Sequence, residues 1–413
     1  MGFTAASPVV RRRLGPAASG WLGRVLLYVL LTQLAIFLIR PVLTYRALDL
    51  GAGDREVGLL VVAFALVPAA IAIPLGRLSD RRRPAIVVQG GAVLLVVGSL
   101  LLYLASNLTG LALATVVLGS GAVAGLVGAQ AVIARLAPDA GLDRDFGLLT
   151  AAASVGQMIG PPLAGLLLSA DADRSTTTGR AFLVGGALLC VALLVCWRLG
   201  DGAGRTAAAT APDGKATAAA PGALGILRLP GVRGGIVASL TLLTAVDLLI
   251  AYLPVIGEER GISPGVVGLL LSVRAAASVL SRLLIPPMLR RWGRTRLLWA
   301  STLGTGVLLG LLPLAAPIWL LALLLAVAGF LLGIGQPLTM SLVVQAVPAA
   351  SRGAALSIRI MGNRLGQVVL PAGIAVATGV FGAASAFVLV GGLLVMSAVG
   401  VPRQAGGTGG TGG

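Results

Sequence analysis

Six ionisable side chains fall inside long apolar stretches, where a charge is costly and therefore marks a candidate functional site. They are Arg40, Asp247, Arg274, Arg282, Arg359 and Arg364. Asp247 is the one acid among them, and the chain has no histidine. A carboxylate that alternates between a dry environment and an arginine partner can take up and release a proton near neutral pH. Asp247 is therefore the predicted proton carrier, and a static salt bridge with Arg274 or Arg364 is the alternative.

Polar side chains accompany these charges at helical spacing, about 100° per residue. Three sets each share one side of a helix: Gln33, Arg40 and Thr44; Arg274, Ser278, Ser281 and Arg282; and Arg359, Asn363 and Gln367, with Arg364 nearby. Such stripes predict a polar cavity for substrate binding and coupling. Arginines near helix ends can instead reach the membrane surface, which we favour for Arg282 and leave open for Arg359. Because guanidinium groups suit planar anions, an anionic part of the substrate is expected to meet Arg40, Arg274 or Arg364.

The elements that must position these residues are membrane helices. Hydrophobic residues make up 57% of the chain and charged residues 11%, with a mean hydropathy of +1.00. A helix of about 20 apolar residues crosses a bilayer, and lipid permits no exposed loops or sheet edges at that depth. The predicted spans are 21–46, 56–77, 85–106, 109–135, 146–169, 181–198, 234–256, 264–288, 297–315, 318–346, 354–378 and 383–400.

The net charge of +17 is distributed unevenly between the two sides of these spans. Segments on the side of the N-terminus, with the adjoining helix ends, hold 21 Lys and Arg against 6 Asp and Glu, whereas the opposite loops hold 5 and 7. Cytoplasmic loops are enriched in Lys and Arg, so both termini are predicted to be cytoplasmic in a multi-pass protein of the cell membrane. The basic runs are topology signals, which argues against a nucleic-acid partner.

An internal repeat divides the chain. A constant shift of 210 residues pairs Gly119 with Gly329, Pro138 with Pro348, and other glycines over about 100 residues, which predicts two copies of a six-helix unit. The predicted organisation is a cytoplasmic tail at 1–20, a six-helix bundle at 21–198, a cytoplasmic linker at 199–233, a second bundle at 234–400 and a disordered tail at 401–413. The linker is rich in Ala, Gly, Thr and Pro.

The loop after the second span reads "PLGRLSDRRRP", from Pro74 to Pro84. With the twelve spans and the repeat, it resembles the loop signature of the major facilitator superfamily. The matching positions that the resemblance assigns to a conformational gate are Gly76, Asp80 and Arg81. Arg83 and Pro84 depart from the signature, and the second-half copy has Arg290 where the acid should be. An acid at a helix end can gain partners in one conformer and lose them in another, whereas a plain anchoring loop is the alternative.

The fifth span carries "GLLTAAASVGQMIGPPLAG", which resembles the glycine-rich motif of that family's exporters. The matching residues are Gly147, Gly156, Gly160, Pro161 and Gly165, and Ala164 departs from the motif. Small residues recur every four positions and allow close helix contact, so tight packing alone is one interpretation. The other is a seal against the second half, with Pro161 permitting a bend. The resemblance links this motif to export.

The fold class implied is an all-α membrane protein of twelve helices in two six-helix repeats, working by alternating access. We expect a proton-coupled exporter of a small organic molecule, without cofactor or metal; the alternative is uptake or facilitated passage of an organic anion. The arginine of a fourth-helix motif common in the family's proton-coupled exporters is absent, since Thr115 stands there. A membrane enzyme or receptor would need a catalytic motif or an added soluble domain, and neither is evident. The sequence leaves the substrate and the oligomeric state open.

Overall fold

The computed structural model describes residues 16–81, 84–137, 142–170, 173–199, 227–229, 232–345, 347 and 352–399. Within that part of the chain it is all-helical, apart from short connections. The twelve helices are α1 Pro16–Asp49, α2 Asp54–Arg81, α3 Pro84–Leu104, α4 Leu108–Leu136, α5 Leu142–Leu168, α6 Arg174–Trp197, α7 Val232–Glu259, α8 Pro264–Trp292, α9 Arg294–Leu311, α10 Ile318–Gln345, α11 Arg352–Phe381 and α12 Ala384–Val399. A 3₁₀ turn, Leu312–Leu314, follows α9.

The twelve predicted spans therefore correspond one to one with the twelve helices. Ten helices in the described residues are long and apolar enough to cross a membrane, and Ala384–Ala398 is a shorter apolar helix. Several helices extend beyond the hydropathy signal. α6 begins seven residues before its predicted span because Asp173 caps it: the carboxylate accepts the backbone N–H of Ser175 at 3.1 Å.

Hydrogen bonds between helix ends define two sides of the bundle. At the side where α1 begins, called the near side, the Arg24 guanidinium donates to the carbonyl of Arg198 beyond the end of α6 at 2.9 Å. At the side where α1 ends, called the far side, Arg46 donates to the carbonyl of Ala105 after α3 at 3.3 Å. Odd-numbered helices thus run towards the far side and even-numbered helices run back.

The packing buries α7 most completely. Its residues from Leu248 to Gly257 are all buried, and Asp247 immediately precedes this stretch. Elsewhere the bundle surface is apolar, as on Leu166, Leu283 and Val380, which are about 70% exposed in the protein alone. Lipid accepts such side chains, so the apolar exterior and the polar centre fit a membrane protein. The two halves meet where α1 contacts α7, α2 contacts α11 and α5 contacts α8.

Candidate functional site between the two halves

An ion pair joins the first helix of one half to the first helix of the other. Nη1 of Arg40 on α1 lies 2.8 Å from Oδ1 of Asp247 on α7. Arg40 is 8% exposed and Asp247 is 9% exposed. Asp247 lies near the middle of α7 and Arg40 about nine residues before the far-side end of α1, and at that depth neither charge has bulk water to solvate it. The alternative of a direct salt bridge from Asp247 to Arg274 or Arg364 therefore named the wrong partner.

The second oxygen of Asp247 is also occupied. The Gln367 amide on α11 donates to Oδ2 of Asp247 at 2.8 Å, and Nη1 of Arg364 donates to Oε1 of Gln367 at 3.1 Å. The carboxylate thus connects three helices, α1, α7 and α11, and Arg364 reaches it only through Gln367. Four predicted site residues form one chain of hydrogen bonds: Arg40, Asp247, Gln367 and Arg364.

A small cavity flanks the ion pair on the side of α2. The Arg40 guanidinium carbon lies 5.0 Å from the centre of the Phe64 ring, within the range of a cation–π interaction. About 20 Å³ here is available to the centre of a water molecule, and apolar residues make up most of the lining, together with Arg40 and Thr44. Thr44 donates to the carbonyl of Ala251 across the halves at 3.3 Å. One water fits such a space, but a substrate of ordinary size does not.

Arg274 on α8 lies close enough to Asp247 to feel its attraction and close enough to Arg40 and Arg282 to be repelled by them. It is 3% exposed. Among the described residues no hydrogen bond or ion pair reaches its guanidinium group, and its Nε is fully buried without an acceptor. The structure therefore brings Arg274 to the same region as the ion pair, but without a partner of its own.

The remaining predicted polar residues lie apart from this chain of hydrogen bonds. Arg359 donates to Oε1 of Gln336 at 3.2 Å and to the hydroxyl of Thr339 at 3.1 Å, so it binds α10 within its own half. Asn363 is buried, and its Oδ1 accepts no hydrogen bond from any of the described residues. Gln33 lines a separate small cavity inside the first half.

The glycine motif of α5 has two contact faces. A Cβ added at Gly156 or Gly160 would lie within 2.8 Å of the α1 backbone, around Leu34. The expectation that this face seals against the other half is therefore wrong for these two glycines, which hold α1 against α5 inside one half. A Cβ at Gly165 would instead lie 2.7 Å from the carbonyl oxygen of Pro264 in α8.

The seam between α5 and α8 continues from Gly165 along both helices. A Cβ at Gly268 would lie 2.4 Å from the carbonyl oxygen of Pro161. Further along, Ser272 donates to the carbonyl of Met158 at 3.0 Å, and Arg282 donates to the hydroxyl of Ser154 at 2.7 Å. The preference for Arg282 at the membrane surface is therefore wrong, because its head group is partly buried against the other half.

Contacts at the far-side ends of the helices also join the halves. The Tyr252 hydroxyl donates to the carbonyl of Asp54 at 3.0 Å, and a Cβ at Gly58 would lie 2.5 Å from Cβ of Ala375. With the α5–α8 seam, these contacts close the far side in this conformation. A route from the far side to Asp247 requires them to separate.

Some predicted gating residues fall where no side-chain contact is described. Gly76, Asp80 and Arg81 lie in the last turns of α2, whose backbone is helical to Arg81 but whose side chains from residue 72 onward are outside the description. Gly147 is exposed, and a Cβ there would meet open space. The gating role of all four stays a prediction.

Sequence reasoning missed several uncharged partners of the arginines. Phe64 lies against Arg40, and Ser154 accepts from Arg282, yet neither stands out in an apolar helix. Gln336 was a detectable signal, as one of two amides in a span of high hydropathy and the one nearer its middle. It accepts from Arg359 and donates to the carbonyl of Ser239 at 3.1 Å.

Comparison with known proteins gives partial matches in sequence and nearly complete matches in fold. The quinolone resistance protein NorA of Staphylococcus aureus is 30% identical over 139 residues, which are 34% of this chain and 36% of that protein. The inner membrane transport protein YajR of Escherichia coli is 37% identical over 100 residues, 24% of this chain and 22% of that protein. The chain thus matches about a third or less of the length of these curated relatives.

Solved transporters share the whole architecture at low identity. A bacterial homologue of the human lysosomal transporter Spinster matches with a TM-score of 0.69 and 16% identity, covering 94% of this chain and 95% of that one. A D-xylose–proton symporter matches with a TM-score of 0.68 and 17% identity, covering 93% and 96%. These similarities show the fold alone.

The family model described as Major Facilitator Superfamily matches twice, at residues 25–256 and 235–404. The two matches together cover nearly the whole chain and overlap within α7. This all-helical, multi-pass membrane protein therefore belongs to the major facilitator superfamily of transporters.

Proposed function

We propose that the protein is a proton-coupled exporter of a small organic molecule, placed in the cell membrane with both termini in the cytoplasm. The observation that carries this proposal is the buried pair of Arg40 and Asp247, which joins the halves at the centre of the bundle. Alternating access moves the halves relative to each other, so a bond between them is made in one state and strained or broken in another. A carboxylate in that position changes its affinity for a proton as the state changes.

In the proposed coupling step, Asp247 carries the proton, and the return of Arg40 drives the release of that proton. With the far side closed, Asp247 is an anion that accepts from both Arg40 and Gln367. Separation of α1 from α7 removes the guanidinium and leaves the carboxylate in an apolar setting, where the neutral acid is favoured. Proton uptake then accompanies opening, and proton release accompanies the return of Arg40.

Export is supported by the glycine motif of α5 and by the similarity to a resistance protein. Gly165 and Gly268 bring α5 and α8 into backbone contact on the far side, so this seam helps to close the far side in the conformation described. The similarity to NorA covers 34% of this chain and adds support for efflux of a drug or metabolite. With the basic loops inside, the near side is the cytoplasm.

Uptake or facilitated passage of an organic anion is the second candidate. Five buried or partly buried arginines face a single acid in the spans, so the interior carries a positive excess. Such an excess attracts anions from either side, and it fixes no direction.

Transport assays separate these candidates. A pump-deleted bacterium that expresses the protein is first exposed to toxic compounds, including a quinolone, and accumulation is followed in both directions. Export predicts lower accumulation and greater resistance, whereas uptake predicts the opposite. The compound found is then used with purified protein in proteoliposomes under an imposed pH gradient.

In the proteoliposomes, Asp247→Asn is expected to bind substrate and to exchange it across equilibrated membranes, but to lose accumulation driven by the pH gradient. Asp173→Asn is the matched control, because it removes an exposed carboxylate at the far-side start of α6 and is expected to keep that accumulation. Retained pH-driven accumulation in Asp247→Asn would eliminate Asp247 as the coupling residue.

A further inference from the structure

Arg274 differs from the other intramembrane arginines in having no partner among the residues that the structure describes. Each of the others donates to a side chain: Arg40 to Asp247, Arg282 to Ser154, Arg359 to Gln336 and Thr339, and Arg364 to Gln367. Arg40, Arg274 and Arg359 are each less than a tenth exposed, and Arg274, at 3%, is the most buried of the three. In the described part of the chain nothing accepts a hydrogen bond from its guanidinium group. Its five N–H donors are available to a ligand.

The position of Arg274 is level with the coupling pair. Asp247 lies about 12 residues from the far-side end of α7, and Arg274 about 10 from the far-side start of α8, or about 18 and 15 Å at 1.5 Å per residue. Both therefore lie near the middle of a bilayer about 30 Å thick. A ligand on Arg274 would be held at the depth where the halves meet.

The charge around Arg274 is not balanced by the protein. Asp247 attracts it, but both oxygens of that carboxylate are already bonded, one to Arg40 and the other to Gln367. Arg40 and Arg282 add positive charge. A buried cation without a directly bonded counter-ion is unfavourable, and an anion that binds there relieves that cost.

The chemistry of the ligand follows from the group that is free. A guanidinium presents two parallel N–H donors that match the two oxygens of a carboxylate, and its planar face packs on apolar groups. Among the described intramembrane arginines only Arg274 is unpaired, so the site suits one negative charge rather than two or three. The apolar helices around it suit an apolar body on the same ligand.

A path of the same polarity leads from Arg274 towards the near side. Ser278 and Arg282 follow at intervals of four residues on one face of α8, and Arg282 lies about 12 Å further along the helix. Arg282 itself donates across the halves to Ser154. An anion entering from the near side meets Arg282 before Arg274.

We propose that Arg274 binds the carboxylate of the transported molecule, which makes the substrate an organic monoanion with an apolar body. This proposal rests on the proposed function, because it takes the bound anion to be the molecule that is transported. Arg40 and Arg364, the other two arginines that the sequence offered for this role, are occupied by the coupling network. Arg274 is thereby separated from the proton site while remaining within its electrostatic range.

Binding to purified full-length protein tests the assignment without any transport measurement. Benzoate is the probe and benzamide is its uncharged isostere, both followed by thermal unfolding in detergent at constant ionic strength. Benzoate is expected to raise Tm of the unmodified protein, and benzamide to leave it unchanged. Arg274→Gln is expected to weaken the benzoate response at least tenfold. Arg291→Gln, which removes an exposed charge at the near-side end of the same helix, is expected to keep it.

A second readout separates ligand binding from a structural role. Because Arg274 has no partner, Arg274→Gln without ligand is expected to match or exceed the Tm of the unmodified protein. A fall in Tm with Arg274→Gln, an equal response to benzamide, or an undiminished benzoate response in Arg274→Gln would each overturn the proposal. Arg274→Lys, which keeps the charge but not the paired donors, is expected to retain a weaker benzoate response.

Failure of the anion site can be distinguished from failure of the proposed function. If benzoate binding depends on Arg274 but no pH-driven flux occurs in proteoliposomes, the anion site stands and the coupled exporter does not. If flux is coupled through Asp247 but benzoate binding does not depend on Arg274, the exporter stands and the anion site is wrong.

Discussion

Arg40 and Asp247 form their ion pair at nearly equivalent levels of equivalent helices. The two residues are 207 positions apart, close to the shift of 210 residues that relates the two halves of the sequence. Thr44 and Ala251, one turn further along, are also 207 apart and also hydrogen bonded. The duplicated architecture thus brings α1 and α7 together along their length, while the charges themselves differ between the copies.

The ion pair is expected to behave as a coupled unit in stability measurements. Arg40→Gln leaves Asp247 as an unpaired buried carboxylate, and removing one partner of such a pair costs about 3–5 kcal/mol. Adding Asp247→Asn removes that unpaired charge, so the double variant is expected to unfold at a higher temperature than Arg40→Gln alone. Thermal unfolding of the four proteins in detergent gives the coupling energy. Strictly additive losses would show that the two side chains act independently.

The two faces of the α5 motif are expected to respond differently to bulk. Gly268→Leu must displace α8 from the Pro161 carbonyl, so it is expected to hold the far side open. Gly160→Leu must displace α1 within one half, so it is expected to lower the yield of folded protein without opening the far side.

Distances between spin labels measure this difference. Ala170→Cys and Ser263→Cys place labels on exposed far-side residues of opposite halves, with Cys190 and Cys196 replaced by alanine. The mean distance is expected to increase by several ångströms in Gly268→Leu. An unchanged distance in that variant, with normal transport, would reduce the seam to ordinary packing.

The helices were predictable because the signal that specifies them is long and repeated. A stretch of about 20 apolar residues can be recognised from hydropathy alone, so each span could be located even where the exact ends of its helix could not. The start of α6 was missed because Thr177 and Thr178 are polar yet fully buried in the helix. Hydropathy does not register a cap such as Asp173.

The partners inside the site were less predictable, because they depend on how twelve helices pack. The polar stripes pointed to side chains that are buried or half-buried in the bundle, while their lining of a substrate cavity stays a prediction. Asp247 had several arginines within reach in a plausible fold. The choice of Arg40 follows from contact between α1 and α7, which no periodicity in either helix reveals. The separation of Arg359 from the ion pair likewise depends on Gln336 and Thr339 on a different helix.

Asp80 supplies a prediction that rests on the sequence motif. Asp80→Asn is expected to slow conformational exchange at the near side by more than it weakens substrate binding, because a carboxylate at a helix end gains and loses partners as the gate moves. Rates of substrate exchange and equilibrium binding are measured on the same purified variant. Unchanged rates together with unchanged binding would remove Asp80 from the mechanism.

Asp54 links the far-side contact between the halves to pH. It begins α2 in one half, and its backbone carbonyl accepts from Tyr252 in the other. Burial raises the pKa of the Asp54 carboxyl above its ordinary value of 3.8; a hydrogen bond from the backbone N–H of Ala383 opposes this rise, and the charge of Glu56 adds to it. Glu259 at the end of α7 also faces this carboxylate. The surroundings of Asp54 at this contact therefore favour its protonated form relative to a free aspartate.

The sign of the effect follows from that raised pKa. Protonation stabilises the closed far side fully below the ordinary pKa of aspartate, and the stabilisation is lost as pH rises through the raised value. We expect acidification to increase the ratio of closed to open molecules about twofold to fivefold, the range typical of a partly exposed charge. Asp54→Asn is expected to keep the closed contact at neutral pH and to lose that pH dependence, whereas Asp173→Asn, at an exposed far-side carboxylate, is expected to retain it. Label distances between Ala170→Cys and Ser263→Cys across the titration decide the matter, and an identical pH dependence in Asp54→Asn would show that another group senses the pH.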